Sequence, residues 1–174
     1  VLNCFGYTGA FSVAAASTRA KTVTTVDSSD SALELTKENL KLNGFEAAAQ
    51  YSTVRTNVFE LLRAYKSENK KFDVLVLDPP KLVFNAAQIN SAARAYKDLN
   101  RLAFGLLNDG GILMTFSCSG LVSADLFQKI IFSAAIEAHV NATILKRLSQ
   151  GPDHPVLLSF PESDYLKGLV CRVC

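Results

Sequence analysis

The sequence predicts an α/β fold, in which a mostly parallel β-sheet carries helices on both faces. Apolar segments of strand length alternate with segments of helical periodicity, and the turns between them are short. Two of the strand-like segments end in polar signatures, Asp78-Pro79-Pro80-Lys81 and Ser117-Cys118-Ser119-Gly120. Because ligands bind outside the carboxyl ends of strands in open α/β sheets, we expect these signatures to meet at one site.

The first half of the chain sets the alternating pattern. A strand at 1–4 leads through a glycine-containing turn into a helix at 9–20, and a strand at 22–26 leads into a helix at 31–42. For the second helix, Ser31 and Glu34 predict a capping box, Ala32, Leu33 and Leu40 an apolar stripe, and Asn43-Gly44 the C-terminal cap. The pattern then continues with strands at 49–54, 72–77, 112–116, 143–148 and 166–173 and helices at 58–65, 89–107 and 124–138.

Composition limits the function classes. With 174 residues, 49% of them hydrophobic, the chain is long enough for one domain over residues 1–174 with a sizeable core. It has no membrane-length apolar run and no signal-peptide pattern, so we expect a cytoplasmic protein that binds no membrane. The four cysteines lack zinc-site spacing, and we expect reduced thiols and no metal. A net charge of +2 gives no strongly basic face, so contacts to RNA would be local or come from elsewhere.

The turn after the first strand is a candidate cofactor loop. It has the sequence Asn3-Cys4-Phe5-Gly6-Tyr7-Thr8-Gly9, and its glycines allow close approach of a ligand to the backbone. The G-x-x-G spacing differs from the G-x-G-x-x-G of dinucleotide folds, which argues against NAD and FAD. Asp27 ends the second strand, where a carboxylate commonly binds a ribose diol, although it also suits a turn with Ser28 and Ser29. We favour ribose binding.

Further along the chain, Asn57 is either the N-cap of the next helix or a hydrogen-bonding partner for an adenine edge, and the two roles are compatible. Asp78-Pro79-Pro80 forms a stiff turn whose carboxylate and carbonyls suit a planar amine or amide, such as a base edge. Lys81 is a candidate phosphate contact, although loop lysines are more often only solvated. His154 lies in a stiff Gly-Pro-Asp-His-Pro loop, near the active site or in a purely structural turn.

Cys118 is the candidate nucleophile. It lies in a polar setting between Ser117 and Ser119 at a strand end, whereas a thiol that only packs would be expected within the preceding strand. The sequence identifies no partner that would lower its pKa. Cys4, Cys171 and Cys174 are expected to be core or terminal thiols.

With these residues assembled, the chain resembles the class I S-adenosylmethionine-dependent methyltransferases. More narrowly, it resembles the bacterial large-subunit ribosomal RNA cytosine-5 methyltransferases that carry an N-terminal PUA domain. The shared segments are residues 3–12, Val26-Asp27, residues 72–81, Tyr96-Lys97-Asp98, residues 110–120, Asp153-His154-Pro155 and Tyr165-Leu166-Lys167-Gly168. Since the chain opens on the strand of the cofactor loop, we expect a catalytic domain that lacks an N-terminal RNA-binding region.

The resemblance implies a Rossmann-like class I methyltransferase fold, with a seven-stranded, mostly parallel sheet and one antiparallel terminal strand. It implies S-adenosylmethionine as cofactor and S-adenosylhomocysteine as product. The cofactor-binding residues would be Asn3, Phe5, Gly6, Tyr7, Thr8, Gly9, Asp27, Ser28, Asn57, Val58 and Asp78. The substrate-binding residues would be Pro79, Pro80, Lys81, Ser117, Ser119 and His154.

The resemblance also implies the reaction and the partner. Cys118 would attack C6 of a cytosine in RNA, expected to be large-subunit ribosomal RNA, and Asp78 would hold the base and stabilise the adduct. Many cytosine-5 RNA enzymes place a second cysteine after the paired prolines, where this chain has Lys81. The sequence leaves the oligomeric state open, a homo-oligomer included.

Three other functions stay open at this point. The first is a methyltransferase acting on the N2 amine of guanine, because such enzymes also use Asp-Pro-Pro after the fourth strand and need no thiol. The second is a module that binds S-adenosylmethionine without turnover. A NAD-dependent dehydrogenase is the weakest alternative, since the glycine spacing does not fit.

Overall fold

A computed structural model describes residues 1–45 and 50–174 of the chain. Its strands are Leu2–Cys4 (β1), Val23–Asp27 (β2), Tyr51–Arg55 (β3), Phe72–Leu77 (β4), Leu107–Ser117 (β5), Ala142–Leu148 (β6) and Lys167–Val173 (β7). Its α-helices are Ala10–Ser17 (α1), Asp30–Leu42 (α2), Val58–Ser67 (α3), Ile89–Gly105 (α4) and Ala124–Glu137 (α5). Short 3₁₀ helices occupy Ala86–Gln88 and Pro161–Ser163.

The strands in this part of the chain form one seven-stranded sheet in the order β3-β2-β1-β4-β5-β7-β6. Neighbours from β3 to β5 pair in parallel, whereas β7 pairs antiparallel with both β5 and β6. The expected sheet, mostly parallel with one antiparallel terminal strand, is confirmed. The chain order reverses between β1 and β4, and this switch point is where open α/β sheets bind their ligands.

Alternation along the short strand β1 separates the two faces of the sheet. Leu2 and Cys4 are completely buried in the main hydrophobic core, which is built with α3, α4 and α5. Asn3 points to the opposite face, where it donates a hydrogen bond to Ser12 of α1. Since successive side chains of a strand point to opposite faces, this alternation confirms helices on both sides of the sheet.

The cap of α2 differs from the expectation. Ser29 is the N-cap, and its hydroxyl accepts a hydrogen bond from the Ala32 N–H, so the capping box predicted at Ser31 and Glu34 is wrong. Asp27 accepts the Ser29 N–H at 3.0 Å, which holds Ser29 at the start of the helix. Glu34 instead forms an exposed ion pair with Lys37. At the other end, the Asn43-Gly44 cap is confirmed, with Gly44 at φ 78°.

Some element boundaries also differ. α1 ends at Ser17 rather than at residue 20, because Arg19 adopts a left-handed conformation with φ 62°. β5 begins at Leu107, five residues earlier than predicted. Its pairing with β4 is irregular, because Leu107 and Ile112 pair with β4 while the Asn-Asp-Gly-Gly segment between them does not. Ala49, the first residue of the predicted third strand, lies outside the described residues.

Candidate active site

The site lies at the carboxyl edge of the sheet, where β1, β2, β4 and β5 end side by side. The segments that follow these strands, together with the loop from 149 to 166, enclose a cavity of about 740 Å³. Its lining residues are Phe5, Tyr7, Asp27, Ser28, Asp78, Pro79, Pro80, Cys118, Gln150, Gly151, His154, Tyr165 and Leu166. A volume of this size suits a small organic cofactor.

The loop at 5–9 forms one wall of the cavity and has an unusual backbone. Phe5 and Tyr7 have positive φ angles of 59° and 46°, and Gly9 has a φ of 82°. A left-handed conformation disfavours residues with a side chain, so the surrounding structure must hold Phe5 and Tyr7 in place. Such strain is often found where a backbone approaches a ligand.

Contacts from α2 and β2 hold this loop. Thr36 and Asn39 of α2 donate hydrogen bonds to the carbonyls of Tyr7 and Thr8, each at 2.9 Å. The Gly6 N–H donates to the Val26 carbonyl at 2.9 Å. The loop is therefore preorganised before any ligand binds.

Gly6 is required by the packing beneath the loop. A Cβ atom at this position would lie 2.3 Å from Cγ2 of Thr25, far inside van der Waals contact. Asn3, Ser12 and Thr25 form a fully buried hydrogen-bonded chain below it. Asn3 was predicted to bind the cofactor, but its side chain lies in this buried chain and supports the loop from below.

Asp27 closes the cavity on the β2 side. Its two carboxylate oxygens accept the N–H groups of Tyr7 at 2.9 Å and of Ser29 at 3.0 Å. The carboxylate therefore has a fixed orientation, with lone pairs left over for hydroxyl donors. This arrangement combines the two roles that the sequence left open, the turn with Ser28 and Ser29 and a candidate diol site.

Asn57 acts as an N-cap, since its carbonyl oxygen accepts the N–H groups of Phe59 and Glu60. Val58 has its side chain buried in the core. Neither residue lines the cavity of about 740 Å³. Any contact to a ligand would therefore use the Asn57 amide nitrogen or the Val58 main chain.

Cys118 and Asp78, which follow the neighbouring strands β5 and β4, both line the cavity. The Cys118 thiol is half-buried and lies 3.9 Å from the carbonyl oxygen of Pro79. Burial, and secondly the charge of Asp78, raise the pKa of Cys118, whereas Lys81 and Lys167 act to lower it. Burial also raises the pKa of Asp78. The site thus holds two groups that keep their protons more tightly than they would in water.

Ser117 and Ser119 are fully buried, and the structure does not bring their hydroxyls into the cavity. Ser117 donates a hydrogen bond to the hydroxyl of Tyr96 at 3.0 Å, and Tyr96 is itself fully buried in α4. Burial raises the pKa of Tyr96, so its hydroxyl stays protonated near neutral pH. Ser117 therefore supports the Cys118 turn from behind, and its hydroxyl also accepts the Ser119 N–H at 3.5 Å.

A second cavity of about 680 Å³ adjoins the first one and shares Cys118 and Tyr165 with it. Its other lining residues are Lys81, Gly120, Leu121, Pro161, Glu162 and Asp164. Cys118 therefore lies between two spaces, one next to the loop at 5–9 and one that opens past Lys81. This geometry can place two reactants on either side of one thiol.

The chain carries a clear family signature. The family model described as conserved hypothetical protein 95 matches residues 1–115. The chain belongs to this family. Two curated relatives, both called ribosomal RNA large subunit methyltransferase I, come from Klebsiella pneumoniae strain 342 and from Citrobacter koseri. Each is 51% identical over 173 residues, which is 99% of this chain and 43% of the relative. The chain thus spans less than half the length of these homologues.

A solved structure confirms the methyltransferase fold of this family member. SMU.776, assigned as a methyltransferase and solved in complex with SAH, superimposes with a TM-score of 0.85 and 26% sequence identity. The match covers 99% of this chain and 44% of that one. The class I methyltransferase fold expected from the sequence is therefore confirmed. Within residues 1–45 and 50–174, no helix is long and apolar enough to cross a membrane, and no cluster of three or more metal-ligating side chains occurs.

Of the loop at 149–166, the sequence predicted only His154 as a site residue, whereas Gln150, Gly151, Tyr165 and Leu166 also line the cavity. Gln150 ties this loop together, since its amide nitrogen donates to the carbonyls of His154 and Ser163, and its oxygen accepts the N–H groups of Tyr165 and Leu166. His154 reaches the cavity, with Nδ1 3.1 Å from Asp153 Oδ2. A glutamine directly before a Gly-Pro-Asp-His-Pro turn was the available signal.

Proposed function

We propose that this chain is the catalytic part of an S-adenosylmethionine-dependent methyltransferase that modifies C5 of a cytosine in large-subunit ribosomal RNA. One observation carries the proposal. The cavity of about 740 Å³ joins the strained loop and Asp27 on one side to Asp78 and Cys118 on the other. The names of the relatives support the substrate class, because they describe methyltransferases of large-subunit ribosomal RNA.

The residues present fit S-adenosylmethionine, which supplies an electrophilic methyl group when it is bound. Gly6 lets the loop pack directly on Thr25 and so keep its shape, and Asp27 offers an oriented carboxylate to a ribose diol. Tyr7 is 71% exposed, so its ring is free to cover a ligand in the cavity. Asn57 and Val58 would meet the adenine at the start of α3. Asp78 is shared between the cofactor and the acceptor base.

Cys118 then supplies covalent catalysis. Its thiolate forms a bond to C6 of cytosine, and the electron pair of the C5=C6 bond makes C5 nucleophilic. C5 takes the methyl group, whose former bonding pair remains on the sulfur of S-adenosylhomocysteine. A base then removes the C5 proton, the C–H pair restores C5=C6, and the S–C6 bond breaks to return the thiolate.

Asp78 is suited to stabilise the negative charge that develops on the cytosine base during this reaction. Burial raises the pKa of its carboxyl, so it holds a proton more readily than an exposed aspartate. When sulfur adds to C6, negative charge develops on the base, and a proton or hydrogen bond from Asp78 to the N3 edge stabilises it. Pro79 and Pro80 keep this carboxyl in place because they stiffen the turn.

The acceptor base must leave its stack, because a paired cytosine hides C5 and C6 within the helix. The cavity of about 680 Å³ beside Cys118 offers room for an unstacked nucleoside. Lys81, exposed at the rim of this cavity, is placed to meet a phosphate, and His154 lines the adjoining cavity of about 740 Å³.

Methylation of a guanine amine is the second candidate. The observation in its favour is the pair of acceptors at the centre of the site, the Asp78 carboxylate and the Pro79 carbonyl, which suits an exocyclic amine. This reaction does not use a thiol. The two candidates therefore differ in what removal of the Cys118 sulfur does.

The test uses the full-length natural protein that contains this chain, unmodified large-subunit ribosomal RNA and labelled S-adenosylmethionine. After digestion, mass spectrometry identifies the methylated nucleoside. We expect 5-methylcytidine from the wild type and from a matched Cys174→Ser control, whose thiol is exposed. Cys118→Ala should bind the cofactor but form no product.

Methylguanosine, or transfer that survives Cys118→Ala, would contradict the proposal. Cofactor binding without any transfer by the wild type would indicate a non-catalytic module.

A further inference from the structure

Lys167 reaches the turn of Cys118 from the antiparallel strand. It is the first residue of β7 and pairs with Ser117, the last residue of β5. Its ammonium nitrogen donates a hydrogen bond to the carbonyl oxygen of Ser119 at 2.8 Å. Lys167 therefore touches the residues on both sides of Cys118, one through strand pairing and one through its side chain.

Several charged and titratable groups surround the Cys118 thiol. Asp78 lies at the end of β4, Lys81 follows it, and Tyr96 lies behind the turn on α4. Asp164 precedes β7 and acts electrostatically on Lys167. The other titratable side chains that line the two cavities are Tyr7, Asp27, His154, Glu162 and Tyr165.

The two lysines differ in how firmly they are held. Lys81 is exposed, and its ammonium group lies 5.7 Å from the ring centroid of Phe84. Lys167 is partly buried and tied to the Ser119 carbonyl. Both charges act to lower the pKa of Cys118, that of Lys81 more than that of Lys167, and the side chain of Lys167 is in addition fixed to the Cys118 turn.

Partial burial of Lys167 carries a cost, because desolvation lowers the pKa of its ammonium group. A nearby negative charge offsets this cost, and the thiolate of Cys118 is such a charge. A cation beside a cysteine favours the thiolate over the thiol. The thiolate is the form that attacks a carbon electrophile.

We propose that Lys167 is a positioning residue that holds the Cys118 turn and stabilises the negative charge of the sulfur as it becomes a nucleophile. This inference rests on the proposed function, in which Cys118 attacks the base. Together with Lys81, Lys167 then counteracts the effect of the Asp78 charge on Cys118.

The test measures the alkylation rate of Cys118 by iodoacetamide against pH, with the modified peptide followed by mass spectrometry. The full-length protein carries Cys174→Ser to remove the exposed thiol. Burial raises the pKa of Cys171 to about 11 and raises that of Cys4 further, so these thiols react little. Lys167→Met removes the charge and keeps the length, and Lys167→Arg restores the charge. Lys129→Met is the matched control, since Lys129 is an exposed lysine of α5 that lines neither cavity.

We expect Lys167→Met to move the midpoint of the alkylation profile upward by about one pH unit, with an about tenfold slower reaction at neutral pH. Lys167→Arg should return the midpoint most of the way to the wild-type value, and Lys129→Met should leave the midpoint unchanged. An unchanged midpoint in Lys167→Met, or an arginine variant that behaves like the methionine variant, would overturn the inference.

The outcome can be separated from that of the proposed function, because alkylation needs neither RNA nor turnover. If Lys167→Met shifts the midpoint of the alkylation profile and Cys118→Ala still transfers methyl groups, the cytosine mechanism is contradicted. The effect of Lys167 on the thiol is then still supported. If Lys167→Met leaves the midpoint of the alkylation profile unchanged and Cys118→Ala is inactive, only the inference about Lys167 is contradicted.

Discussion

The Cys118 thiol lies 3.9 Å from the carbonyl oxygen of Pro79. The two residues come from the ends of neighbouring parallel strands, β5 and β4. This proximity places a nucleophile beside the stiff Asp-Pro-Pro turn, so that one planar base could contact both.

The first prediction concerns the packing under the cofactor loop. Gly6→Ala should destabilise the fold by about 1–3 kcal/mol and weaken S-adenosylmethionine binding at least tenfold, because the new methyl group would overlap Cγ2 of Thr25. Urea unfolding and isothermal titration measure both effects.

Two variants make this prediction specific. Gly105→Ala is the control, since nothing lies within 4 Å of a Cβ atom at that position. Thr25→Ser removes Cγ2 but keeps the hydroxyl that contacts Ser12, so it should restore much of the loss when combined with Gly6→Ala. A double variant no better than Gly6→Ala alone would argue against this steric explanation.

The second prediction separates the two roles of Asn57. Asn57→Ala should destabilise the protein by about 1 kcal/mol through the loss of the α3 cap, whereas Asn57→Asp keeps the capping oxygen and should retain stability. If the amide nitrogen contacts adenine, as we expect, Asn57→Asp should still bind S-adenosylmethionine several-fold more weakly. If Asn57→Asp binds S-adenosylmethionine with wild-type affinity, Asn57 acts only as the N-cap of α3.

The third prediction follows from the raised pKa of Asp78. A carboxyl whose pKa is higher in the folded state than in the unfolded state favours folding while it is protonated. Its contribution is lost as pH rises through the folded-state pKa. Asp78→Asn should therefore melt about 2–4 °C higher than the wild type at pH 8, and this gain should shrink toward pH 4.

The same variant should lose methyl transfer by two orders of magnitude or more, on the scale typical of an electrostatic catalytic group. Thermal unfolding across the pH range and the transfer assay at pH 8 check the two parts. Equal melting temperatures of Asp78→Asn and the wild type at every pH would contradict the burial of a charged Asp78.

Local signals in the sequence predicted most of the fold. Apolar strands that end in Asp27, Asp78 and Cys118 located three segments of the site, because parallel strands bring their carboxyl ends to one edge. The cap of α2 was misplaced since the run Ser-Ser-Asp-Ser offers several capping side chains, and only the Asp27 contact to Ser29 decides between them.

The rest of the site depends on contacts between residues that are distant in the sequence. β7 inserts between β5 and β6, and this insertion brings Lys167 to the Cys118 turn. The loop before it becomes part of the cavity through the hydrogen bonds of Gln150. The buried positions of Asn3, Ser117 and Ser119 also follow from packing, which residue type alone does not reveal.

The most direct test of the central claim is a covalent trap. The full-length protein is incubated with S-adenosylmethionine and target RNA that carries 5-fluorocytidine, whose C5 fluorine replaces the proton that the reaction must remove. We predict a denaturation-resistant protein–RNA complex in which the Cys118 peptide carries the methylated nucleotide, and no complex with Cys118→Ala. If the enzyme methylates ordinary RNA but forms no such complex, or forms it through another residue, the assignment of Cys118 as the nucleophile is contradicted.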